Sequence, residues 1–550
     1  MLSSVIETYS ELLKLKGWHI ANSNEDTNLF ARNHVNHGVV YVLEYGDCLK
    51  IGRTQNLSER IRSLVAQAKN YSRVKTGVVL YSASHINFCQ NEKILHSAFK
   101  DKQIENGELF AMSIDEFIAN IPNLLFEDMN TLYTHSSDKN VKNEIYVYAG
   151  WLNDTYVGKV CSVQSNGKEI ISFEYSEDWL REHSDIFLDP DIFSFLGRQY
   201  VPNSKPIFGM LSDVCPDRWG RQLIKRRENM LAARGKRPAK HLCETDFLLA
   251  VSDVLCTGGL RFKIAPQGDF ITVSNEMDIP PMADVHKIEH AALSYELANN
   301  PEGRKWLLQL IMSGSSLGGA RPKANVRETD GTLWIAKFPS RNDEFDTGAW
   351  EYVIHILAKM CNLNVPEAKL QKFSDFGSTF MVKRFDRKGE QRVHFASAMN
   401  LLGAVDGMSS KYSYLDIAQL IVSHSKTPKQ DIEELFRRIA FSIAVSNHDD
   451  HLRNHGFLLD GSHWQLSPLY DVNPSPDNIT YMSLNITLDS SLSSFSVLLE
   501  TADFYQLSSL SASQIIKSTR ETVSNNWERL AKRYSIPSWQ INKMRPCFEN

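Results

Sequence analysis

The chain has 550 residues, of which 42% are hydrophobic and 23% charged, and its formal net charge is −5. These values are typical of a soluble globular protein with several domains. No apolar run reaches the roughly 18–20 residues that a membrane-spanning helix needs, and charged side chains interrupt residues 1–20, unlike a signal peptide. The eight cysteines form no C-x-x-C pair, which favours reduced thiols in a cytoplasmic protein without membrane contact.

The sequence predicts five successive segments. A capping box of Ser4 and Glu7 indicates a helix near residues 4–16. A polar, aperiodic stretch at 134–143 indicates a linker. The predicted division is a helical segment at 1–30, a front domain at 31–133, the linker, a middle segment at 144–300 and a last segment at 301–550.

The front segment predicts a small α/β domain. Strands at 39–43 and 48–51 flank turn residues and so form a hairpin, and helices follow at 57–68 and 92–99. Residues 31–100 hold ten Lys and Arg against four Asp and Glu, while the rest of the chain is acidic. A basic segment of this kind is compatible with contact to nucleic acid, and equally with a chance distribution of surface charge.

The motifs "GVVYVL" and "KIGRT" of this segment resemble those of the GIY-YIG nuclease superfamily. The resemblance implies that Tyr41 lies near an attacking water, that Arg60 steadies the phosphate and that Glu92 holds a divalent metal. Lys50 replaces the tyrosine of the second motif, and Leu64 stands where some members carry a histidine. Two hypotheses therefore stay open: a nuclease, and a module that only binds nucleic acid.

The middle segment begins with predicted strands at 145–151 and 155–163 around Asn153-Asp154. Its runs "FEYSEDWL", "FGMLSDVCPDRWGRQLI" and "GGLRF" resemble the N-terminal subdomain of HipA-family proteins. Asp217, Arg218 and Arg221 are open to interpretation as a catalytic cluster. We favour a structural role, because acid–arginine pairing beside a tryptophan is a common way to fix a loop to a core.

The last segment opens with "SGSSLGGARPKA", residues 313–324. Small residues allow backbone N–H groups to approach phosphate oxygens closely. The run resembles the phosphate loop of HipA-family kinases, in which a loop serine is autophosphorylated. Ser316 is the matching position, and Ser315 is the neighbouring candidate.

Two further runs follow in order. "TLWIAKFPS" predicts a strand with Lys337 near its end, and Glu351 follows at the start of a predicted helix (residues 350–360), where it can orient the lysine. "FMVKRFDR" resembles the hinge strand of the family, which implies that Lys383, Arg384 and Phe385 line the nucleotide.

The fourth motif follows an apolar helix face at residues 432–443 and reads "SNHDDHLRN". Asp449 and Asn454 have the D-x-x-x-x-N spacing of a kinase catalytic loop. A predicted hairpin at 456–466 separates them from Asp471. This order of parts predicts that Asp449 accepts the hydroxyl proton and that Asn454 and Asp471 hold magnesium.

A transition-metal cluster is the competing interpretation of this motif. Its candidate ligands are His448, Asp449, Asp450, His451 and His455. The ordered loop, lysine, hinge and aspartate argue against it.

The resemblance implies an α+β multidomain protein, with a small GIY-YIG-like α/β domain before a two-part HipA-like kinase fold. That fold has a β-rich N-terminal subdomain and a mostly helical C-terminal lobe. The implied activity is transfer of the γ-phosphate of ATP, with Mg²⁺, to serine or threonine of a protein such as a translation factor. The implied nucleotide-binding residues are Gly318, Gly319, Ala320, Arg321, Lys323, Lys337, Lys383, Arg384, Phe385, His451, Arg453, Asn454, Tyr470 and Asp471.

The family resemblance further implies a toxin neutralised by a separate DNA-binding antitoxin, while residues 31–133 contact DNA or RNA. The alternative hypothesis is a nuclease or nucleic-acid-binding protein regulated by an inactive kinase-like scaffold.

Overall fold

The computed structural model describes residues 13, 18–22, 38–54, 56–69, 74–83, 85, 88–104, 107–122, 124, 141–165, 167–272, 279–296, 310, 321–477 and 479–549. Apart from Leu13, the predicted helix at 4–16 lies outside these residues. Residues 134–140 of the predicted linker also lie outside them, whereas its last three residues, 141–143, belong to a strand that begins at Val141. The chain divides into a first compact unit (1–144, 157–184 and 192–201) and a second (145–156, 185–191 and 202–550). Within the described ranges, no helix is both long and apolar enough to cross a bilayer.

The first unit begins with an antiparallel five-stranded sheet of order β1-β4-β2-β3-β5. Its elements are β1 (Trp18–Asn22), β2 (Val39–Tyr45), β3 (Cys48–Thr54), α1 (Leu57–Gln67), β4 (Thr76–Ser82), α2 (Phe88–Ala98), a 3-10 turn (Lys100–Lys102), β5 (Leu109–Phe110) and α3 (Ile114–Ala119).

The central strand β2 is buried on both faces, because its side chains alternate between two cores. Val40 and Val42 pack into a cluster with residues of α2, α3 and β5. Val39, Tyr41 and Leu43 face the opposite way, into a cluster with residues of α1. This arrangement accounts for the continuous apolar run in the sequence.

Further along the chain lie β6 (Val141–Ala149), a 3-10 turn (Gly150–Leu152), β7 (Thr155–Ser165), β8 (Lys168–Tyr175), α4 (Glu177–His183) and β9 (Gln199–Tyr200). Strand β8 pairs antiparallel with β7 and with β9 in the first unit. Asn153 and Asp154, the predicted turn residues, have φ of 51° and 59°, the left-handed region that Asn and Asp tolerate best among non-glycine residues.

The second unit holds most of the remaining elements. They are α5 (Gly209–Ser212), α6 (Arg218–Arg234), α7 (Glu244–Leu249), a 3-10 turn (Asp253–Leu255), β10 (Leu260–Lys263), a 3-10 turn (Met282–Asp284), α8 (Val285–Tyr295), β11 (Lys323–Arg327), β12 (Leu333–Lys337), α9 (Thr347–Met360), β13 (Ala368–Ser374), β14 (Gly377–Lys383), β15 (Arg387–Lys388), β16 (Gln391–Arg392), β17 (Phe395–Ser397) and α10 (Ala398–Leu401).

The C-terminal part of this unit is mainly helical. Its elements are a 3-10 turn (Ser409–Lys411), α11 (Tyr414–His424), α12 (Pro428–Ala444), a 3-10 turn (Leu452–Asn454), β18 (Gly456–Asp460), β19 (His463–Leu466), α13 (Phe495–Glu500), a 3-10 turn (Ala502–Tyr505), α14 (Ser509–Arg533), α15 (Ser538–Met544) and a 3-10 turn (Arg545–Cys547).

The second unit contains two antiparallel sheets of three or more strands that are relevant to the site. One has the order β11-β12-β14-β13, and the other has the order β17-β18-β19. Helix α9 packs against β13 and β14. Its apolar side, which includes Trp350, Val353 and Leu357, joins a core with the end of α12, with α14 and with the C-terminal residues. The helix thereby holds the sheet to the helical part of the unit.

The sequence predicted these elements closely. The hairpin of β2 and β3, the strand β12, the helices α9 and α12 and the hairpin of β18 and β19 all occur where they were expected. The α+β architecture, with a β-rich N-terminal part and a helical C-terminal part, is confirmed.

Candidate functional site

A lysine at the end of β12 joins two carboxylates in the second unit. Lys337 Nζ lies 2.6 Å from Glu351 Oε1 and 2.6 Å from Asp471 Oδ1. Glu351 is in the first half of α9, where Asp346 caps the helix by accepting a hydrogen bond from the Ala349 amide. Three distant segments therefore converge on one ammonium group.

The three charges change one another's pKa. Burial favours neutral Lys337, but the two carboxylates outweigh it and raise the lysine's pKa. Burial favours neutral Asp471 too, yet the Lys337 charge prevails and the pKa of Asp471 is lowered. Burial dominates at Glu351, whose pKa is raised despite the lysine. Lys337 is therefore a firmly charged cation and Asp471 an ionised carboxylate at neutral pH.

The predicted catalytic loop follows α12. The chain turns at Ser446, whose φ is 52°, and reaches Asp449, which is exposed. Asn454 is buried and donates through Nδ2 to the Asp449 carbonyl oxygen at 3.2 Å. This bond closes the loop and leaves the Asp449 carboxylate at the surface.

Asp450, the neighbour of Asp449, faces the interior. Its carboxylate accepts hydrogen bonds from the hydroxyls of Tyr414 at 2.7 Å and Ser442 at 3.2 Å, and it lies 3.0 Å from His455 Nε2. These contacts fix the loop to α11 and α12.

A cleft surrounds Lys337. Glu351, Asn454 and Asp471 line it together with Phe380 and other residues of β12, β14 and α9; we call it the Lys337 cleft. Asp471 has a φ of 57°, a strained conformation for a residue other than glycine. Non-glycine residues in this region often occur at functional sites.

Two other predicted residues, Tyr470 and Arg453, contact each other at the wall of the cleft. The Tyr470 hydroxyl donates to the Arg453 carbonyl oxygen at 2.6 Å, and Arg453 Nε lies 3.2 Å from Asp406 Oδ1. Both Tyr470 and Arg453 line the cleft. His451, in contrast, is not among the lining residues in the described part of the chain.

The predicted hinge residues Lys383, Arg384 and Phe385 also line the cleft. The Arg384 guanidinium is fully engaged within the protein, because it donates to Asp386 at 2.7 and 2.9 Å and to Asn325 Oδ1 at 2.8 Å. Its charge therefore stabilises the fold around the hinge.

The phosphate-loop prediction falls largely outside the described residues, which exclude Ser315, Ser316, Gly318, Gly319 and Ala320. Directly after it, Arg321 forms an ion pair with Asp343. Lys323 is buried and lies 2.7 Å from Asp217 Oδ2, and it lines the cleft.

The contacts of the middle segment agree with a structural role for its charged cluster. Asp217 caps α6 by accepting a hydrogen bond from the Gly220 amide at 2.7 Å. Arg221 makes a two-pronged contact with Glu244, at 2.8 and 2.7 Å. Asp217 and Arg221 therefore both have partners within the fold, whereas Arg218 is exposed.

The cleft-lining residues that sequence reasoning missed include Asp213 and His355. Asp213 is buried and accepts hydrogen bonds from the Ser397 amide at 2.8 Å and the Ser397 hydroxyl at 2.7 Å. His355 lies one turn after Glu351 on α9, so the helical period was a usable signal for it. No local pattern marks Asp213, because its neighbours in the site come from β17.

Among the described residues, no group of three or more His, Cys, Asp or Glu side chains is placed to hold a metal ion. The competing transition-metal cluster around His448 and His451 is therefore not supported. The hydrogen bonds from Tyr414 and Ser442 satisfy the Asp450 carboxylate without a metal.

The first unit has its own polar cluster. Arg60 Nε donates to the hydroxyl of buried Tyr41 at 3.0 Å, and Lys50 Nζ lies 3.0 Å from Glu108 Oε2. Glu108 is also 3.8 Å from Arg60, although sequence reasoning did not select it. The predicted residues Tyr41, Lys50 and Arg60 thus meet on one side of the β2–β3 hairpin.

Glu92 forms an ion pair with a basic side chain that the sequence analysis did not select. Its Oε2 lies 3.1 Å from Arg53 NH1, and burial raises its pKa although the Arg53 charge opposes this. A carboxylate in this setting is compatible with one metal contact, but among the described residues it belongs to no group of three or more His, Cys, Asp or Glu side chains that could hold a metal ion.

Comparison with protein families identifies two domains. Residues 315–527 match the HipA-like C-terminal domain, and residues 38–123 match the T5orf172 domain. The chain therefore carries a HipA-like C-terminal domain with a T5orf172 domain ahead of it. The front match does not establish the GIY-YIG assignment, which stays a prediction.

Two curated relatives share part of the sequence. A Haemophilus influenzae protein named "Putative kinase" is 32% identical over 152 residues, which are 24% of this chain and 44% of the relative. "Putative kinase Y4dM" of Sinorhizobium fredii is 28% identical over 229 residues, which are 38% of this chain and 54% of the relative. The chain spans about half the length of these relatives.

A solved structure shares the fold. It is the complex of the Shewanella oneidensis MR-1 toxin–antitoxin system HipA, HipB and its operator DNA. The match has a TM-score of 0.53 at 16% identity and covers 73% of this chain and 94% of the matched chain. The α+β fold of this protein is thus similar to that of HipA in this complex.

Proposed function

We propose that this protein is a Ser/Thr protein kinase that uses ATP and Mg²⁺. The observation that carries the proposal is the position of Lys337 between Glu351 and Asp471, at 2.6 Å from each, in a cleft that Asn454 also lines. A phosphoryl-transfer site of the kinase type has three recurring parts. They are a lysine that a helix glutamate orients, an aspartate that binds the metal, and an asparagine of the catalytic loop.

Each side chain has a defined task in this proposal. Lys337 holds the α- and β-phosphates, and Glu351 orients the lysine. Asn454 and Asp471 offer an amide and a carboxylate oxygen, the ligand types that Mg²⁺ prefers. Bound there, Mg²⁺ would offset negative charge on the transferring phosphoryl group.

Asp449 receives the hydroxyl proton of the acceptor serine or threonine. The bond between the γ-phosphorus and the β–γ bridging oxygen breaks, the acceptor oxygen bonds to phosphorus, and ADP leaves. The exposed position of Asp449 suits a large acceptor such as a protein, because a buried base would not meet a protein side chain.

We further infer the biological setting from the HipA-like domain and fold. In this proposal the protein is a cytoplasmic toxin that phosphorylates a translation factor, phosphorylates itself at Ser316 or Ser315, and is neutralised by a separate DNA-binding antitoxin. The toxin–antitoxin composition of the structurally similar complex supports this setting.

A second activity is proposed for residues 31–133, which would bind DNA or RNA and, as a nuclease, would use Glu92 as a metal ligand. The contact of Arg60 with the Tyr41 hydroxyl at 3.0 Å favours it, because both groups suit a phosphodiester. In the alternative, this domain is the active part and the kinase-like part is a scaffold.

Phosphoryl transfer by Asp449→Asn tests the kinase proposal. The variant keeps the Lys337 cleft, so we expect ATP binding by calorimetry to be unchanged. Transfer from radiolabelled ATP should fall at least about 100-fold, the usual contribution of a positioned base. Near-normal transfer by this variant, or no ATP binding by the parent protein, would contradict the proposal.

A further inference from the structure

A hairpin at residues 480–493 follows Asp471 in the second unit. Backbone hydrogen bonds close it from the Met482 amide to the Ser491 carbonyl at 2.7 Å and from the Ser493 amide to the Thr480 carbonyl at 2.8 Å. Its tip is closed by the bond from the Ile486 amide to the Ser490 carbonyl at 2.7 Å.

The hairpin is fixed beside the proposed catalytic base. The Ser483 amide donates to the carbonyl oxygen of His448, the residue before Asp449, at 2.9 Å. On the other side, Asn485 exchanges backbone hydrogen bonds with the chain around α11, at 3.0 Å to the Tyr412 carbonyl and 2.9 Å from the Tyr414 amide. A molecule that contacts the hairpin therefore lies close to Asp449.

The two faces of the hairpin differ in burial. Met482, Leu484 and Ile486 are buried, as the period of two along a strand requires for an inner face. Four apolar side chains of the hairpin and its immediate neighbour in the chain are exposed: Ile479, which precedes the hairpin, at 44%, Tyr481 at 60%, Leu488 at the tip at 72% and Leu492 at 39%. We call these four residues the hairpin face.

The hairpin face is continuous at its centre. Tyr481 and Leu492 pair across the hairpin in an antiparallel bridge, so their side chains are neighbours on the same side. Exposed apolar side chains that cluster in this way mark interaction sites more often than scattered ones do, and tyrosine is enriched in protein interfaces.

The charge of the hairpin restricts the partner. In residues 479–493 Asp489 is the single charged residue of the sequence, and it is exposed. The surface is therefore apolar with a weak negative character, which disfavours an acidic partner and also the phosphate backbone of a nucleic acid.

We propose that the hairpin face is the docking surface for the protein substrate, and that it binds an extended segment with apolar side chains beside the acceptor serine or threonine. The inference rests on the proposed kinase activity and adds the substrate class to it. Acidic residues in the segment would meet Asp489 and Asp449 and would be disfavoured. Lysine or arginine beside the acceptor is compatible with the same surface.

A positional-scanning library of serine peptides tests this inference with the full-length protein, ATP and Mg²⁺. The parent should select apolar residues at one or more positions flanking the serine and reject aspartate and glutamate. The double variant Tyr481→Ser/Leu492→Ser should lose this selection, with about a 10-fold lower kcat/KM on the preferred peptide that arises mainly from a higher KM.

Leu510→Ser is the matched control, because Leu510 is 70% exposed and lies on α14, outside the hairpin. It should retain the parent's peptide selection. ATP binding by calorimetry should be equal in all three proteins, which shows that the double variant is folded.

The outcomes separate the two proposals. Transfer to peptides without apolar selection, selection that survives in the double variant, or ATP binding without transfer to any peptide would overturn the docking inference alone. Absence of ATP binding by the parent would overturn the kinase proposal and the inference with it. A parent dimer in light scattering that the double variant turns into monomer would assign the face to a second copy of the chain and would also overturn the inference.

Discussion

At the residue scale, two positively charged side chains, Lys337 and Arg384, have different roles because they have different partners. Lys337 meets two carboxylates inside a cleft that a ligand can enter. The Arg384 side chain is wholly buried, and its charge is balanced by Asp386, which also meets Arg387 at 2.8 Å. A buried charge without a partner is costly, so Asp386 stabilises the fold by balancing the guanidinium groups of Arg384 and Arg387.

Asp386→Ala should therefore lower the free energy of unfolding by about 3–5 kcal/mol near neutral pH, since it leaves two buried guanidinium groups uncompensated. Burial alone would raise the pKa of Asp386, but Arg384 and Arg387 outweigh it and hold the pKa below its ordinary value. The carboxylate's contribution is thus complete above the unfolded-state pKa and is lost as the pH falls through the folded-state pKa. The difference between parent and variant should shrink in acid.

Urea denaturation followed by tryptophan fluorescence measures this difference. Glu344→Ala is the control, because Glu344 is exposed and pairs with exposed Lys543 at 3.4 Å, and a surface pair contributes less than about 1 kcal/mol. Equal stability of the two variants would show that the Arg384 charge is balanced in another way.

At the element scale, the proposed site is built from the ends of elements. Lys337 is the last residue of β12, the catalytic loop follows the end of α12, and Asp471 follows the β18–β19 hairpin. The elements fix these positions, and the left-handed residues Ser446 and Asp471 turn the chain sharply where it leaves them. The Gly-rich segment before β11 is the remaining part of the predicted nucleotide-binding site.

Ser316→Asp tests the predicted role of that segment. Negative charge placed next to the ATP phosphates would repel them, and like charges a few ångströms apart cost on the order of a few kcal/mol near a protein surface. We expect ATP affinity in calorimetry to fall at least about 10-fold, whereas Ser316→Ala should bind ATP as the parent does.

Mass spectrometry of the purified parent should find phosphate on Ser316 or Ser315. Unchanged ATP affinity in Ser316→Asp would remove the proposed switch from this loop.

At the scale of the whole molecule, the two units concentrate different chemistry. The second contains the Lys337 cleft. The first contains the contact of Tyr41 with Arg60 and the ion pair of Glu92 with Arg53, on a basic segment. Because Arg60 carries a fork of N–H donors, it is the strongest single candidate for a phosphate contact.

Arg60→Ala in the full-length protein should weaken binding to DNA or RNA and reduce the slope of log affinity against log salt by about 1, the loss of one phosphate contact.

Glu92→Ala should leave binding in the absence of metal intact, because it removes a negative charge beside Arg53. If the domain is a nuclease, the same variant should lose Mg²⁺-dependent cleavage of a labelled oligonucleotide. Salt-independent affinity of the parent would exclude both nucleic-acid roles.

The sequence by itself determined the elements and the order of the chemical motifs. The continuous apolar run of β2 and the apolar period of α12 are local patterns, since a strand buried on both faces is apolar throughout and side chains repeat every 3.6 residues in a helix. The spacing between Asp449 and Asn454 and the later position of Asp471 are likewise properties of the chain. Together with the family resemblance, these patterns predicted the α+β architecture, and they selected the candidate site residues, whose roles stay predictions.

Only the tertiary structure decided which charges meet. It paired Lys323 with Asp217, turned the Arg384 guanidinium to Asp386, and brought Asp213 to the cleft. It also showed that Glu108 lies beside Lys50. Except for Arg384 and Asp386, these partners are far apart along the chain. A side chain's task depends on the burial and charge of its neighbours in space, which no local period of the sequence encodes.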